Sequence, residues 1–271
     1  MPELPEVETT RRGIEPHILG HTVSKVIVRQ PKLRWPVTEG LEDKLIAQRV
    51  IATKRRGKYL LLEFVRGHLL IHLGMSGNLC VLETAEEPGK HDHVDIHFSK
   101  GQCLRYTDPR RFGAVMWIDG IPEQHPLLEK LGPEPLSEYF SGRYLFETSR
   151  NRKIPIKNFI MEQAVVVGVG NIYANEALYL AGIRPDRKAS SVSLKRYLKL
   201  ADAITETLSA AIEQGGSSIR DFLGNEGKPG YFQQSLHVYG RGGSCCHTCG
   251  CTLVESRIGQ RQTVFCKNCQ T

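Results

Sequence analysis

The chain has 271 residues, 40% of them hydrophobic, which is enough to bury two medium-sized cores and excludes a disordered polypeptide. No apolar run reaches the roughly 20 residues of a membrane helix, and MPELPEVETT is acidic where a signal peptide would be basic and apolar, so a cytoplasmic protein with no membrane partner is expected. A formal net charge of +7 points to a polyanionic partner, with basic patches at separated places: Lys54, Arg55, Arg56, Lys58 and Arg66 in one, Arg241, Arg257, Arg261 and Lys267 in another.

Pro2 or Pro5 opens a first helix, with Glu3, Glu6 and Glu8 in its early turns, Arg11 and Arg12 further along, and Gly20 as its stop. From about 22 to 120, short runs such as TVSKVIV, YLLLEF, HLLIHL, HVDIHF and AVMWI alternate with Gly- or Pro-containing turns, the pattern of a β-sandwich. After LGPEPL the chain becomes helical, and SLKRYLKLADAITETLSAAIEQ has apolar residues at helical spacing before Gly215-Gly216. Residues 217–236 hold Gly224, Gly227, Pro229 and Gly230, a loop too long for a mere connector. The expected fold is therefore α+β and multidomain.

Six of the eight cysteines fall between 245 and 269, and clustering of that kind favours a metal over a disulfide framework. Cys246-x2-Cys249 and Cys266-x2-Cys269 have the spacing of a four-thiolate zinc site, one Zn2+ per chain. Cys245 and Cys251 allow another register, although only Cys246 with Cys249 repeats the two-residue gap of the second pair. Arg261 would project from the tip of the hairpin between the pairs; its bland reading is a solvated charge. His91, His93, Asp95 and His97 share one face of a strand, and a solvated or partner-facing surface accounts for them more simply than a second metal does. GVGNIYANEAL lacks the third glycine of a dinucleotide site and reads as a tight turn feeding a helix, whose N-terminus could hold a phosphate. Pro2 alone is an ordinary helix-start proline.

Taken together, MPELPEVET, GKYLL at 57–61, HLGMSG at 72–77, KHDHVD at 90–95, RYTDPRRFG at 105–113, GVGNIYANE at 168–176, NEGKPGYF at 225–232, VYGR at 238–241 and the cysteine hairpin resemble formamidopyrimidine-DNA glycosylase from end to end. The resemblance implies an N-terminal catalytic β-sandwich domain with the long first helix (1–133). It also implies a helix-two-turn-helix domain with a lesion-recognition loop at 217–236 (134–236), a zinc hairpin (237–271), and double-stranded DNA with oxidised bases or abasic sites in a basic cleft between domains. A monomer, nucleoid-associated in a bacterium, is expected.

In that family the initiator methionine is removed and the proline nitrogen attacks the sugar C1′, a role that falls to Pro2. An α-amine of pKa about 8 is about 10% neutral at pH 7, and an ordinary lysine is roughly 200-fold less available. Its iminium is an electron sink for the eliminations that cut the strand. Glu3 matches the acid/base residue and Glu6 a supporting carboxylate. Lys58 matches a lysine on the lesion's phosphates, and Arg261 an arginine of phosphate binding and later elimination. His91, Arg110, Arg152, Lys157 and Asn171 match or neighbour DNA-contact positions, Arg152 within a loosely patterned RNRK context. Met75, Arg110 and Phe112 match the wedge that fills the gap left by a flipped base; without the resemblance Met75 and Phe112 read as core. Ser217 is the matched candidate for reading N7–H of an oxidised guanine through its carbonyl. Two rivals stay open: a sister enzyme of the endonuclease VIII kind, whose members usually depart from LPEVET and the RRF wedge, and a non-catalytic zinc-ribbon DNA binder, which retention of Pro2, Glu3 and Lys58 opposes.

Overall fold

In the computed structural model, residues 2–83, 86–216 and 236–271 are described; Met1, Ser217 and the Gly224–Gly230 segment named above lie outside them. The first helix, α1 (Leu4–Ile18), starts with Glu3 as an extended N-cap and Pro5 in the opening turn, where a missing N–H costs nothing. It stops before Gly20, whose φ of +76° lies in the left-handed region that glycine tolerates.

The described residues up to Glu129, with 215–216, form one compact unit; Lys130–Gln214 with 236–271 form a second. In the first unit, β1 (Val23–Val28), α2 (Leu41–Leu45), β2 (Val50–Arg56), β3 (Tyr59–Phe64), β4 (Gly67–His72), β5 (Asn78–Glu83), β6 (Asp92–Phe98), β7 (Gln102–Thr107) and β8 (Ala114–Ile118) follow α1. The strands make two antiparallel four-stranded sheets, ordered β1-β6-β7-β5 and β2-β3-β4-β8. Alternation sends Leu60, Leu62, Leu69 and Ile71 of one sheet and Val94, Ile96, Leu104 and Tyr106 of the other into one core with Val7, Ile14 and Ile18 of α1, which is the expected sandwich.

Of the polar set expected to be solvated or partner-facing along β6, His91 is exposed and His97 half-buried, but Asp95 and His93 are enclosed. Asp95 is fully buried because Arg29 from the end of β1 and Arg105 from β7 both pair with it, at 2.7 and 2.8 Å, so its charge is compensated where it sits. His93 is buried too, its Nε2 2.8 Å from the Asp108 carbonyl oxygen.

The second unit holds α3 (Gly142–Ser149), α4 (Ile156–Met161), α5 (Asn171–Leu180), α6 (Leu194–Glu213) and the hairpin β9 (Val254–Ile258) and β10 (Arg261–Phe265). Residues 162–170 link α4 to α5 through turns in which the N–H groups of Val165 and Val166 both bond to the Glu162 carbonyl. In α6, Tyr197, Leu200, Ala201, Ile204, Leu208 and Ala211 recur at helical spacing and are buried. Among the described residues no helix is long and apolar enough to cross a membrane.

Candidate functional site

At the head of α1, Pro2 and Glu3 are buried, and the Glu3 N–H donates to Glu6 Oε2 at 2.8 Å, with Glu6 itself fully enclosed. Glu6 thus fixes the backbone of the residue next to Pro2. The chain returns to this place at Gly216, where a Cβ would stand 3.2 Å from Glu6 Oε1. One turn along, the Glu8 carboxylate accepts from Arg11 at 3.0 Å, Arg12 at 2.8 Å and Arg55 at 3.2 Å. Burial pushes its pKa up, but the arginines outweigh that and hold it below the usual range. Arg55 also donates to the Gly57 carbonyl at 3.1 Å, so the β2–β3 turn that carries buried Lys58 is registered against α1. Sequence reasoning assigned nothing to Glu8 or Arg55; their spacing gave only a charged helix face and a basic run.

Three of the predicted contacts gather on neighbouring turns. Met75 and Phe112 are 39% and 41% exposed, which settles them as surface and not core. The Arg110 guanidinium stacks over the Phe112 ring at 4.8 Å. The two turns touch at Gly74, where a Cβ would come within 2.5 Å of the Phe112 carbonyl carbon, so only glycine fits. Beneath them lies Asp108, fully buried, which the motif RYTDPRRFG contained without suggesting a role. His91 is exposed, and its carbonyl accepts the Asp108 N–H at 3.0 Å. His72, at the end of β4, is held neutral to about pH 4 by burial and by the charges of Lys58 and Arg34.

In the second unit, Lys157 on α4 is buried, its ammonium donating to the Gln262 carbonyl at 2.8 Å and to Thr263 Oγ1 at 2.7 Å. Asn171, the first residue of α5, donates to the same carbonyl at 3.1 Å. Lys157 and Asn171, expected at DNA, here hold the residue that follows exposed Arg261. Gly259 and Gln260, with φ of +55° and +62°, make the tight turn before it. Asn175 receives the Val264 N–H at 2.9 Å, and the buried Glu176 carboxylate collects the N–H groups of His237, Val238 and Tyr239 at 2.7 to 2.9 Å. These two anchors were also missed, although both lie inside the GVGNIYANE stretch. Arg152 is set apart, half-exposed and paired with Glu162.

The sulfurs of Cys246, Cys249, Cys266 and Cys269 all lie within 4.8 Å of one another, with 3.9 Å from Cys246 to Cys269 and 3.4 Å from Cys249 to Cys266. Four thiolates about 2.3 Å from a tetrahedral ion would be about 3.8 Å apart, so this donor set fits a metal. Cys245 and Cys251 are exposed and outside the cluster, which resolves the register. Asp95, His97 and Cys103 also lie close together, but Arg29 and Arg105 already occupy the carboxylate and burial pushes the Cys103 thiol up to about 12. That group is a poor metal ligand set.

A profile of the formamidopyrimidine-DNA glycosylase N-terminal domain matches residues 1–115, and one of the formamidopyrimidine-DNA glycosylase H2TH domain matches 131–223. The chain is 58% identical over 270 residues to a formamidopyrimidine-DNA glycosylase of Stutzerimonas stutzeri, with 100% of each chain covered. It superposes with a TM-score of 0.92 on a Lactococcus lactis FPG mutant bound to DNA containing Fapy-dG, at 36% identity and 100% coverage of both chains. A TM-score of 0.90, again at 36% identity and 100% coverage of both, relates it to MutM in complex with DNA containing carbocyclic 8-oxo-G.

Proposed function

The chain belongs to the formamidopyrimidine-DNA glycosylase family, and from that premise we propose that it is a bifunctional glycosylase and AP lyase of base-excision repair, removing 8-oxoguanine and formamidopyrimidines from double-stranded DNA. The observation that carries this reading is the head of α1: Pro2 and Glu3 are buried together, and Glu6 fixes the Glu3 backbone. With Met1 removed, the Pro2 nitrogen forms a bond to C1′ while Glu3 moves a proton among the departing base and the opening sugar ring. The resulting iminium draws electrons from C2′ as that carbon loses a proton, so the 3′ phosphate leaves by β-elimination. A second elimination releases the 5′ phosphate and leaves a one-nucleotide gap.

Lys58 and Arg261 hold the phosphates on which these eliminations act, and His91, Arg110, Arg152, Lys157 and Asn171 neutralise the backbone around them. Met75, Arg110 and Phe112 fill the gap of the flipped nucleotide. Ser217 is the reader of N7–H, next in sequence to the Gly216 that abuts Glu6. We assign one Zn2+ per chain to Cys246, Cys249, Cys266 and Cys269, where it supplies folding energy to the hairpin and no chemistry to the reaction. The division into 1–133, 134–236 and 237–271, action as a monomer, and residence in the cytoplasm at the nucleoid complete the proposal.

Borohydride trapping of the processed protein on a duplex containing 8-oxoguanine tests it. A stable covalent adduct is expected, with Glu3→Gln losing most excision of the intact lesion and less of the cleavage at abasic sites. A folded, processed enzyme giving no adduct on either substrate rules out Pro2 as nucleophile and favours a damage-binding protein. Preference for oxidised pyrimidines would assign the chain to the sister enzyme.

A further inference from the structure

Asp108 is an acidic side chain that the mechanism above does not use, yet both of its oxygens are engaged beneath the wedge turns. It is fully buried. Oδ1 accepts from Ser76 Oγ at 2.9 Å and from the Arg110 N–H at 3.2 Å; Oδ2 accepts from the Gly113 N–H at 2.9 Å and lies 3.2 Å from the Tyr106 hydroxyl. Its carbonyl meets His93 Nε2 at 2.8 Å and the Arg111 N–H at 3.1 Å, and its own N–H donates to the His91 carbonyl. Each bond runs to a residue on, or next to, one of the three turns that carry Met75, His91, Arg110 and Phe112. Arg111 between the last two adopts φ of +56°, a left-handed conformation that a non-glycine residue keeps only when its surroundings impose it.

We propose that Asp108 is the positioning residue of the wedge: its carboxylate locks the Met75 turn and the 109–113 turn into one rigid body, so that Phe112 and Met75 stand preset to enter the base stack. The inference rests on the glycosylase reading. Three donors, Ser76 Oγ and the N–H groups of Arg110 and Gly113, converge on two oxygens, with the Tyr106 hydroxyl shared between Oδ2 and the His72 carbonyl; a carboxylate meets this demand and an amide does not, since the NH2 of an asparagine would oppose the Gly113 N–H or the Ser76 and Arg110 donors. A water-filled or apolar substitute would leave backbone N–H groups buried without acceptors. Preorganisation matters here because a wedge free to rotate must be ordered at the moment it displaces a base.

Asp108→Asn tests the assignment in single-turnover excision of 8-oxoguanine and, in parallel, cleavage of a preformed abasic site. Excision of the lesion should fall about tenfold or more, the loss at the abasic site should be smaller, and zinc content should be unchanged. In a Phe112→Ala background the same substitution should alter the ratio of the two rates several-fold less than it does in the wild type, because one of the two side chains it positions is already gone. Tyr106→Phe and Ser76→Ala each remove one donor and should shift the ratio in the same direction, so they carry the test if Asp108→Asn does not fold. A wild-type ratio in all three variants, or an undiminished effect of Asp108→Asn without Phe112, overturns the proposal. A wild type that neither excises nor crosslinks overturns the glycosylase reading itself.

Discussion

The turn at 108–113 in the first unit and the turn at 259–262 in the second both display an exposed cation, Arg110 or Arg261, beside a non-glycine residue with positive φ, Arg111 or Gln260. Their roots differ. The first stands on one buried carboxylate whose partners lie in the same sandwich, within residues 72–113 of the chain. The second is a two-stranded hairpin with few large apolar side chains, tied to Lys157, Asn171 and Asn175 from two helices and set beside the clustered Cys246, Cys249, Cys266 and Cys269. A turn rooted in a sheet inherits its rigidity from the core, whereas a turn on a small hairpin must bring its own anchors.

The contrast should break most sharply at the proposed zinc. Cys266→Ser, or exhaustive chelation, should unfold the hairpin and lower duplex affinity by at least about 100-fold, since a structural zinc of this kind is worth on the order of 10 kcal/mol. The first unit should keep its β spectrum. Metal analysis, circular dichroism and binding of an abasic duplex report this, and full metal content with native affinity in Cys266→Ser would refute the anchor role.

Next in size is Lys157→Met, which removes a buried ammonium donating to Gln262 and Thr263. A loss of about 2–3 kcal/mol in the second unit is expected, from hydrogen bonds to a charged group. Arg261→Ala, exposed at the same turn, should leave stability within about 0.5 kcal/mol while weakening duplex binding. Chemical denaturation of both variants decides the matter; equal destabilisation would mean that Arg261 is itself part of the root.

The first unit should carry a pH dependence through His72, beside its turn. The His72 carbonyl accepts from the same Tyr106 hydroxyl that reaches Asp108, and His72 Nδ1 accepts the Gly74 N–H at 3.0 Å. Burial and the charges of Lys58 and Arg34 oppose a proton on its ring, and Asp108 favours one. The unfolded chain takes up that proton near 6.5 and the folded chain only near 4, so the stability it contributes is fully present above about 6.5 and is lost as pH falls through that window. His72→Gln should flatten the melting-temperature profile between pH 6.5 and 4. An unchanged slope would show that His72 is solvated and does not report on the turn.

The sequence made the display legible and concealed the roots. Met75, Arg110, Phe112, Arg261 and the cysteine pairs stand in motifs whose spacing or resemblance singles them out. Strand and helix periods placed β3, β4, β8 and α6 because burial on one face writes itself into the pattern. Asp108, Glu8, Asn175 and Glu176 left no such mark, since a buried polar residue looks like a surface one until its partners are brought to it by distant strands and helices. The same blindness explains β6: Asp95 and His93 read as solvated because their partners, Arg29 and Arg105 for the one and the Asp108 carbonyl for the other, come from other segments of the chain.

The smallest expected effect on stability is the most telling one for the comparison. Phe112 is 41% exposed, and its main described contact is the Arg110 guanidinium stacked on its ring. Truncation to alanine therefore opens no cavity, unlike a core phenylalanine, whose loss typically costs about 3–5 kcal/mol. The Asp108 network stays complete, because its bonds run to Ser76, Tyr106 and the backbone of Arg110 and Gly113 and none to the Phe112 ring. What Phe112→Ala removes is the apolar surface that replaces lost stacking when a base leaves the duplex. Zinc content should be retained and the melting midpoint should move by less than about 3 °C, as expected for under 0.5 kcal/mol in a chain of this size. Capture of an 8-oxoguanine duplex should slow, while cleavage of an abasic site, where no base has to be displaced, should be much less affected. A fall of many degrees would place Phe112 among the roots and erase the distinction between the two turns, and equal slowing on both substrates would make it a general DNA contact with no part in searching the stack.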